Sequence, residues 1–180
     1  MEELDLDEVL FVPAGSHPFK GDDTRTPIRH RLDMIQLAIV GNRRFRISLV
    51  DVNREGPHYS ADTVKILQDE YPDAQLYFVM GGDNLRDLPT WTRAEELYKR
   101  CRLAVMRRTD ENISPDMHDE ILPGLSDKVD IVDTPLLSIW LSSTHVIERL
   151  REGQSVRYLV PDNVLEYIRI NGIYASEINA

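Results

Sequence analysis

Short apolar runs alternate with helix-period stretches along most of this chain. Glu8 to Pro13 (Glu-Val-Leu-Phe-Val-Pro) opens directly into Ala14-Gly15-Ser16-His17-Pro18, the pattern of a buried strand running into a loop. Thr26 and Pro27 then offer a helix N-cap and a first-turn proline. Ile28, Leu32, Ile35 and Ile39 repeat along one helical face until Gly41-Asn42 stops it. Phe45, Ile47 and Leu49 alternate with Arg46, Ser48 and Val50, a strand signal. After the Gly56-Pro57 break a helix is predicted from near Ser60 to before Pro72. Leu76 to Met80 predicts a second buried strand closed by Gly81-Gly82, Ala94 to Arg102 a helix, Leu103 to Met106 a short strand and Val129 to Asp133 a last one. Thr144 to Glu152 and Asp162 to Asn171 predict helices closed by Gly153 and Gly172.

Strands alternating with helices imply an α/β fold, a doubly wound and mostly parallel sheet covered on both faces. Ligands of such sheets bind where strands end, so the loops after Pro13, Met80 and Leu141 are expected on one edge. The 180 residues suit one domain, 1–180, with a polar, acidic excursion at about 109–128 punctuated by Pro115, Pro123 and Gly124.

Composition narrows the partners. No apolar run approaches the ~20 residues of a membrane span, and no secretory segment opens the chain. Cys101, the lone cysteine, excludes an internal disulfide, and a reducing cytoplasm is the expected address. The net charge of −10 argues against nucleic acid as a primary partner. Yet residues 1–10 carry five acids and no base, and residues 110–133 carry eight acids and one base, which leaves the rest of the chain at +2. That body can present a positive pocket to a small phosphorylated ligand. A homo-oligomer is compatible with the sequence, which does not specify an oligomeric state.

Three stretches carry candidate chemistry. Gly81-Gly82-Asp83-Asn84 follows an apolar strand: two glycines allow a ligand close to the backbone, and Asp83 can accept hydrogen bonds from a sugar hydroxyl. An ordinary strand-ending turn accounts for the same residues. Ser142-Ser143-Thr144 precedes a helix, whose free amides suit phosphate, although plain capping is the commoner reason for such residues there. Trp91, in Leu88-Pro89-Thr90-Trp91, can stack on a flat heterocycle or serve as a core aromatic. The histidines (His17, His30, His58, His118, His145) lack metal-ligand spacing, so no metal site is expected. There is no nucleophile elbow and no recognisable acid/base pair, so no catalytic residue is identified and the chemistry expected is one of positioning.

Taken together, these pieces closely resemble bacterial nicotinate-nucleotide adenylyltransferase, a nucleotidyltransferase of Rossmann-like fold. Val9-Leu10-Phe11-Val12-Pro13 followed by Pro18-Phe19-Lys20 is similar to the family's strand and Pro-His-Lys loop. Arg31-Leu32-Asp33-Met34 with Leu37-Ala38-Ile39 resembles its Arg-x-x-Met-x-x-Leu-Ala-Ile helix. Arg54 to Thr63 resembles Arg-Glu-Gly-Pro-Ser-Tyr-Thr-x-Asp-Thr, and Gly81-Gly82-Asp83-Asn84-Leu85 with Leu88-Pro89-x-Trp91 resembles Gly-Ala-Asp-Asn-Leu and Leu-Pro-x-Trp. Ser142-Ser143-Thr144, Tyr158-Leu159-Val160-Pro161 and Gly172-Ile173-Tyr174 complete the set. The resemblance implies adenylyl transfer from ATP to nicotinate mononucleotide, giving deamido-NAD and pyrophosphate in NAD biosynthesis, with Mg²⁺ accompanying ATP. It implies Tyr59 and Ser60 at the nicotinate, Trp91 stacked on the pyridine and Asp83 on a ribose. It further implies Lys20 and Arg108 facing phosphate, Gly81 and Gly82 allowing backbone approach, and Ser142, Ser143 and Thr144 holding ATP phosphates.

The departures are specific. The family opens with a strand, a Gly-Gly-Thr-Phe-Asp-Pro turn and a His-x-Gly-His helix start whose histidines stabilise the transferring phosphates. The sequence from Met1 carries none of this, so the first strand–helix unit is expected upstream of Met1 or replaced by another element. As written, the chain is expected to be impaired. Phe19 replaces the loop histidine, Thr109 the proline of Arg-Pro-Gly, and Ile147 a phosphate-binding arginine, while Arg149 keeps the later basic position. Two other readings stay open: a non-catalytic pyridine-nucleotide-binding protein, and a nucleotidyltransferase for another phosphate ester. The preference for nicotinate over nicotinamide is not legible.

Overall fold

The structure, a computed structural model, describes residues 1–15, 26–107, 112–133 and 142–174. Its Cα trace groups into two compact units, one holding residues 1–15, 26–52 and 142–174, the other residues 53–107 and 112–133.

In the first unit β1 (Val9–Phe11) pairs in parallel with β2 (Phe45–Ile47), Val9 opposite Phe45 and Phe11 opposite Ile47. The crossover is α1 (Ile28–Ile39), whose apolar face is the Ile28, Leu32, Ile35, Ile39 stripe. Gly41 leaves it at φ 96°, a conformation glycine adopts without strain. Two expectations shift. Pro27, not Thr26, is the N-cap; the Thr26 hydroxyl donates instead to Tyr174 Oη at 2.7 Å. Leu49 lies past the end of β2 and is exposed. Helices α5 (Ser143–Arg151) and α6 (Asp162–Ile170) complete the unit. Tyr167 of α6 donates to Asp33 Oδ2 at 2.6 Å and meets His30 Nδ1 at 2.9 Å, which pins α6 along α1.

In the second unit β4 (Arg102–Arg107) lies between β3 (Tyr77–Gly81) and β5 (Val129–Asp133), all parallel. Central position explains its composition: Leu103, Ala104 and Val105 are wholly buried. The expectation that β3 is buried on both faces fails at Val79, which is 53% exposed on a face that nothing among the described residues covers. Helix α2 (Ser60–Glu70) precedes β3 and packs on α4 (Ala94–Arg100). Between β3 and α4 the Gly-Gly stretch, read from sequence as a turn, is a one-and-a-half-turn helix, α3 (Gly82–Asp87), running into a 3₁₀ turn at Leu88–Thr90. Leu85 and Leu88, fully buried, hold it down. The acidic excursion is packed rather than free: Ile113 and Leu125 are buried, and Met117 and Leu122 lie against the same core. Strand-end carboxylates are paired across the sheet, Arg102 with Asp130 and Arg107 with Asp133, each through two hydrogen bonds.

Candidate functional site

Six of the residues singled out from sequence belong to the second unit. Tyr59 and Ser60 open α2. The loop before them carries a cis Gly56-Pro57 bond and is braced by Arg54, which donates to the Pro57 carbonyl at 3.4 Å and to Thr63 Oγ1 at 3.1 Å. The buried Thr63 hydroxyl donates in turn to the Tyr59 carbonyl at 3.3 Å. That carbonyl also accepts the Asp62 and Thr63 amides, the first bonds of the helix. Asp62 sits in the first turn, where the helix dipole favours a carboxylate.

Trp91 ends the 3₁₀ turn, its amide bonded to the Leu88 carbonyl at 2.9 Å. Its indole is half-buried and meets Phe78 of β3 edge-to-face, centroids 6.1 Å apart at 87°. The ring is therefore packed in part against the core and in part accessible, and an accessible indole can stack on a flat ligand. Two residues on, Arg93 caps α4 in the left-handed region, φ 60° and ψ 39°, a conformation that costs a non-glycine residue about 1 kcal/mol. Its guanidinium is bonded to Asp62 Oδ2 at 2.5 Å, lies 3.9 Å from Glu96 and sits 5.6 Å over the Tyr59 ring. The Asp62 hydrogen bond raises the Arg93 pKa above the ordinary arginine value. The start of α2 and the Trp91 turn are thus tied by one side chain.

Gly81 ends β3 and Gly82 begins α3. Gly81 has φ −82° and ψ 164°, open to any residue, so its need for glycine is spatial: a Cβ there would collide with Asp83 Oδ1. The space the sequence reading kept for ligand approach is, at Gly81, the space the Asp83 carboxylate folds into. Asp83 itself is exposed, with Asn84 Nδ2 3.5 Å from Oδ1.

Ser142, Ser143 and Thr144 belong to the first unit, at the start of α5, and all are exposed. Ser142 is the N-cap, its Oγ accepting from the His145 amide at 3.1 Å. The capping alternative is therefore realised, and one hydroxyl hydrogen stays available. Arg149 donates through Nε and Nη2 to the Ser155 carbonyl at 3.2 and 2.9 Å, fastening the turn after α5. Lys20 and Arg108 lie outside the described residues. Among those residues no three His, Cys, Asp or Glu stand close enough to hold a metal ion.

Sequence reasoning missed four features. Arg93 carried no signal, since a left-handed N-cap is ordinarily read from glycine or asparagine. His58 buries Nδ1 with no partner among the described residues. His118 of the acidic excursion meets the Leu85 carbonyl of α3 at 2.9 Å. Arg31, quoted only as a motif residue, donates to the carbonyls of Thr26, Ala14 and Gly15 and so holds the end of the loop after β1.

Comparison with known proteins places this geometry. The Cytidylyltransferase-like family matches residues 1–149. A protein of Thermomicrobium roseum named "Probable nicotinate-nucleotide adenylyltransferase" is 43% identical over 173 residues, covering 96% of this chain and 80% of its own. One of the same name from Dehalococcoides mccartyi is 39% identical over 176 residues, covering 96% and 85%. Among solved structures, Plasmodium falciparum nicotinic acid mononucleotide adenylyltransferase complexed with NaAD superposes with a TM-score of 0.73 at 20% identity, over 94% of this chain and 83% of that one. That likeness shows the Rossmann-like nucleotidyltransferase fold. No helix among the described residues is long and apolar enough to cross a membrane. The chain belongs to the Cytidylyltransferase-like family and, within it, to the nicotinate-nucleotide adenylyltransferases.

Proposed function

We propose that this chain transfers the adenylyl group of ATP to nicotinate mononucleotide in the cytoplasm. An oxygen of the mononucleotide phosphate attacks the α-phosphorus of ATP, a new phosphoanhydride bond forms, and the bond to the β-phosphate breaks. Pyrophosphate leaves with the electron pair, and deamido-NAD is the other product. Mg²⁺ enters as part of the ATP substrate and offsets charge on the leaving group. No protein nucleophile takes part; the protein's contribution is to orient two anions and neutralise their repulsion.

The observation that carries this reading is the tie between Tyr59 and the Trp91 turn through Arg93, the turn itself continuing from helix α3, which bears Asp83. An aromatic wall and a helix start with free amides suit a pyridine ring bearing a carboxylate. In this reading Trp91 stacks on the pyridine, Tyr59 and Ser60 meet its carboxylate side, and Asp83 accepts from a ribose hydroxyl. Gly82 lets the ligand approach the protein backbone closely, Gly81 leaves room for the Asp83 carboxylate, and Lys20 and Arg108 face phosphate. Ser142, Ser143 and Thr144 take ATP phosphates.

Steady-state kinetics with Trp91→Ala tests it. Loss of one ring-stacking contact is expected to raise KM for nicotinate mononucleotide on the order of tenfold while KM for ATP changes less than about twofold. Equal effects on both substrates would remove Trp91 from the pyridine site.

One observation favours a second reading, binding without turnover. Ile147 stands where the family resemblance implies a phosphate-binding arginine, and Arg149, which keeps the later basic position, is oriented by two hydrogen bonds to the Ser155 carbonyl. Calorimetry separates the two: tight mononucleotide binding without pyrophosphate release supports the binder.

A further inference from the structure

Arg93 has the features of a residue kept for position at a cost. Its backbone is left-handed, where glycine is at ease and arginine is not. Its side chain spans from the α4 start to the α2 start and reaches three groups there: the Asp62 carboxylate, the Glu96 carboxylate and the face of Tyr59. Two carboxylates already claim its charge, so the guanidinium is not a free counter-ion for a bound carboxylate or phosphate. What it fixes is geometry. The charge-assisted bond to Asp62 holds the first turn of α2, and the cation over the ring holds the orientation of Tyr59. Because Arg93 follows Trp91 by two residues, both aromatic groups are referred to the same anchor.

We propose that Arg93 is a positioning residue for nicotinate mononucleotide. Through Asp62 and the Tyr59 ring it sets the Tyr59-Ser60 segment against the Trp91 turn, and its effect falls on mononucleotide affinity, not on ATP affinity or fold stability. This rests on the reading that Tyr59 and Trp91 bind the mononucleotide.

The test measures dissociation constants of nicotinate mononucleotide and of ATP by calorimetry, with melting temperatures, on the full chain and five variants. Arg93→Gly removes the guanidinium while relieving the left-handed backbone, so stability is expected to hold. Mononucleotide affinity is expected to fall on the order of tenfold, with ATP affinity within about twofold. Asp62→Asn should give the same selective loss, and Arg93→Lys, which keeps the cation but not the fork, should recover part of it. Equal mononucleotide affinity in Arg93→Gly and the parent, with weakened binding in Tyr59→Ala and Trp91→Ala, overturns the role of Arg93 and leaves the site standing. Unchanged mononucleotide affinity in Tyr59→Ala and Trp91→Ala, or no mononucleotide binding by the parent, overturns the site itself.

Discussion

At the scale of single residues, Gly81 and Cys101 carry opposite lessons. Gly81 has backbone angles any residue adopts, so its constraint is the Asp83 carboxylate folded against it. Gly81→Ala is expected to leave the melting temperature within a few degrees, because only the far end of a flexible side chain must move. Mononucleotide affinity is expected to fall on the order of tenfold or more, as for one lost hydrogen bond to a charged group. Calorimetry of that variant checks both. Cys101 is buried under the sheet, its Sγ 3.3 Å from the Leu97 carbonyl, and burial pushes its thiol up to about 12. It should resist iodoacetamide at pH 8 in the folded protein and react readily in urea. The unfolded thiol titrates near 8.5 while the folded one holds its proton far longer. This group's stabilisation is therefore complete below about pH 8.5 and is lost as pH climbs toward 12. Alkaline melting curves at pH 8 and pH 10, compared with Cys101→Ala, isolate that loss.

At the scale of elements, regular periodicity was legible and tertiary compensation was not. The Ile28, Leu32, Ile35, Ile39 stripe and the left-handed Gly41 mark α1 because both signals are local. The Ser142 cap of α5 is local too. Helix α3 was invisible: two glycines at its start oppose helix formation, and what overrides them is burial of Leu85 and Leu88 against β4 and the acidic excursion. Thr26 is not the cap because α1 begins one residue later, at Ile28 with Pro27 as N-cap, and the Thr26 hydroxyl donates to Tyr174, 148 residues away. Of the proposed site, the aromatic and glycine positions could be read from their motifs. The Arg93–Asp62 tie could not, since nothing local announces a left-handed arginine. The element that most supports the site is β4, which anchors β3 and with it Gly81. Leu103→Ala in its centre should cost about 2–5 kcal/mol, read as a fall in the urea midpoint at unchanged slope.

At the scale of the whole chain, the acidic charge is unevenly distributed. The net charge of −10 is concentrated at residues 1–10 and 110–133, which leaves the rest of the chain at +2. The acidic excursion is nonetheless built into the second unit, through Leu125 in the core and His118 at the Leu85 carbonyl. Its charge is therefore displayed from a fixed surface. The central claim is that the second unit takes the pyridine ring on Trp91. The most direct measurement follows the two tryptophan indole N–H signals by ¹⁵N-edited NMR during titration with nicotinate mononucleotide, the Trp91 signal being identified from Trp91→Phe. The account predicts a saturable shift of that signal at the concentrations that saturate calorimetric binding. A Trp91 indole that stays in place while the mononucleotide binds and turns over contradicts it.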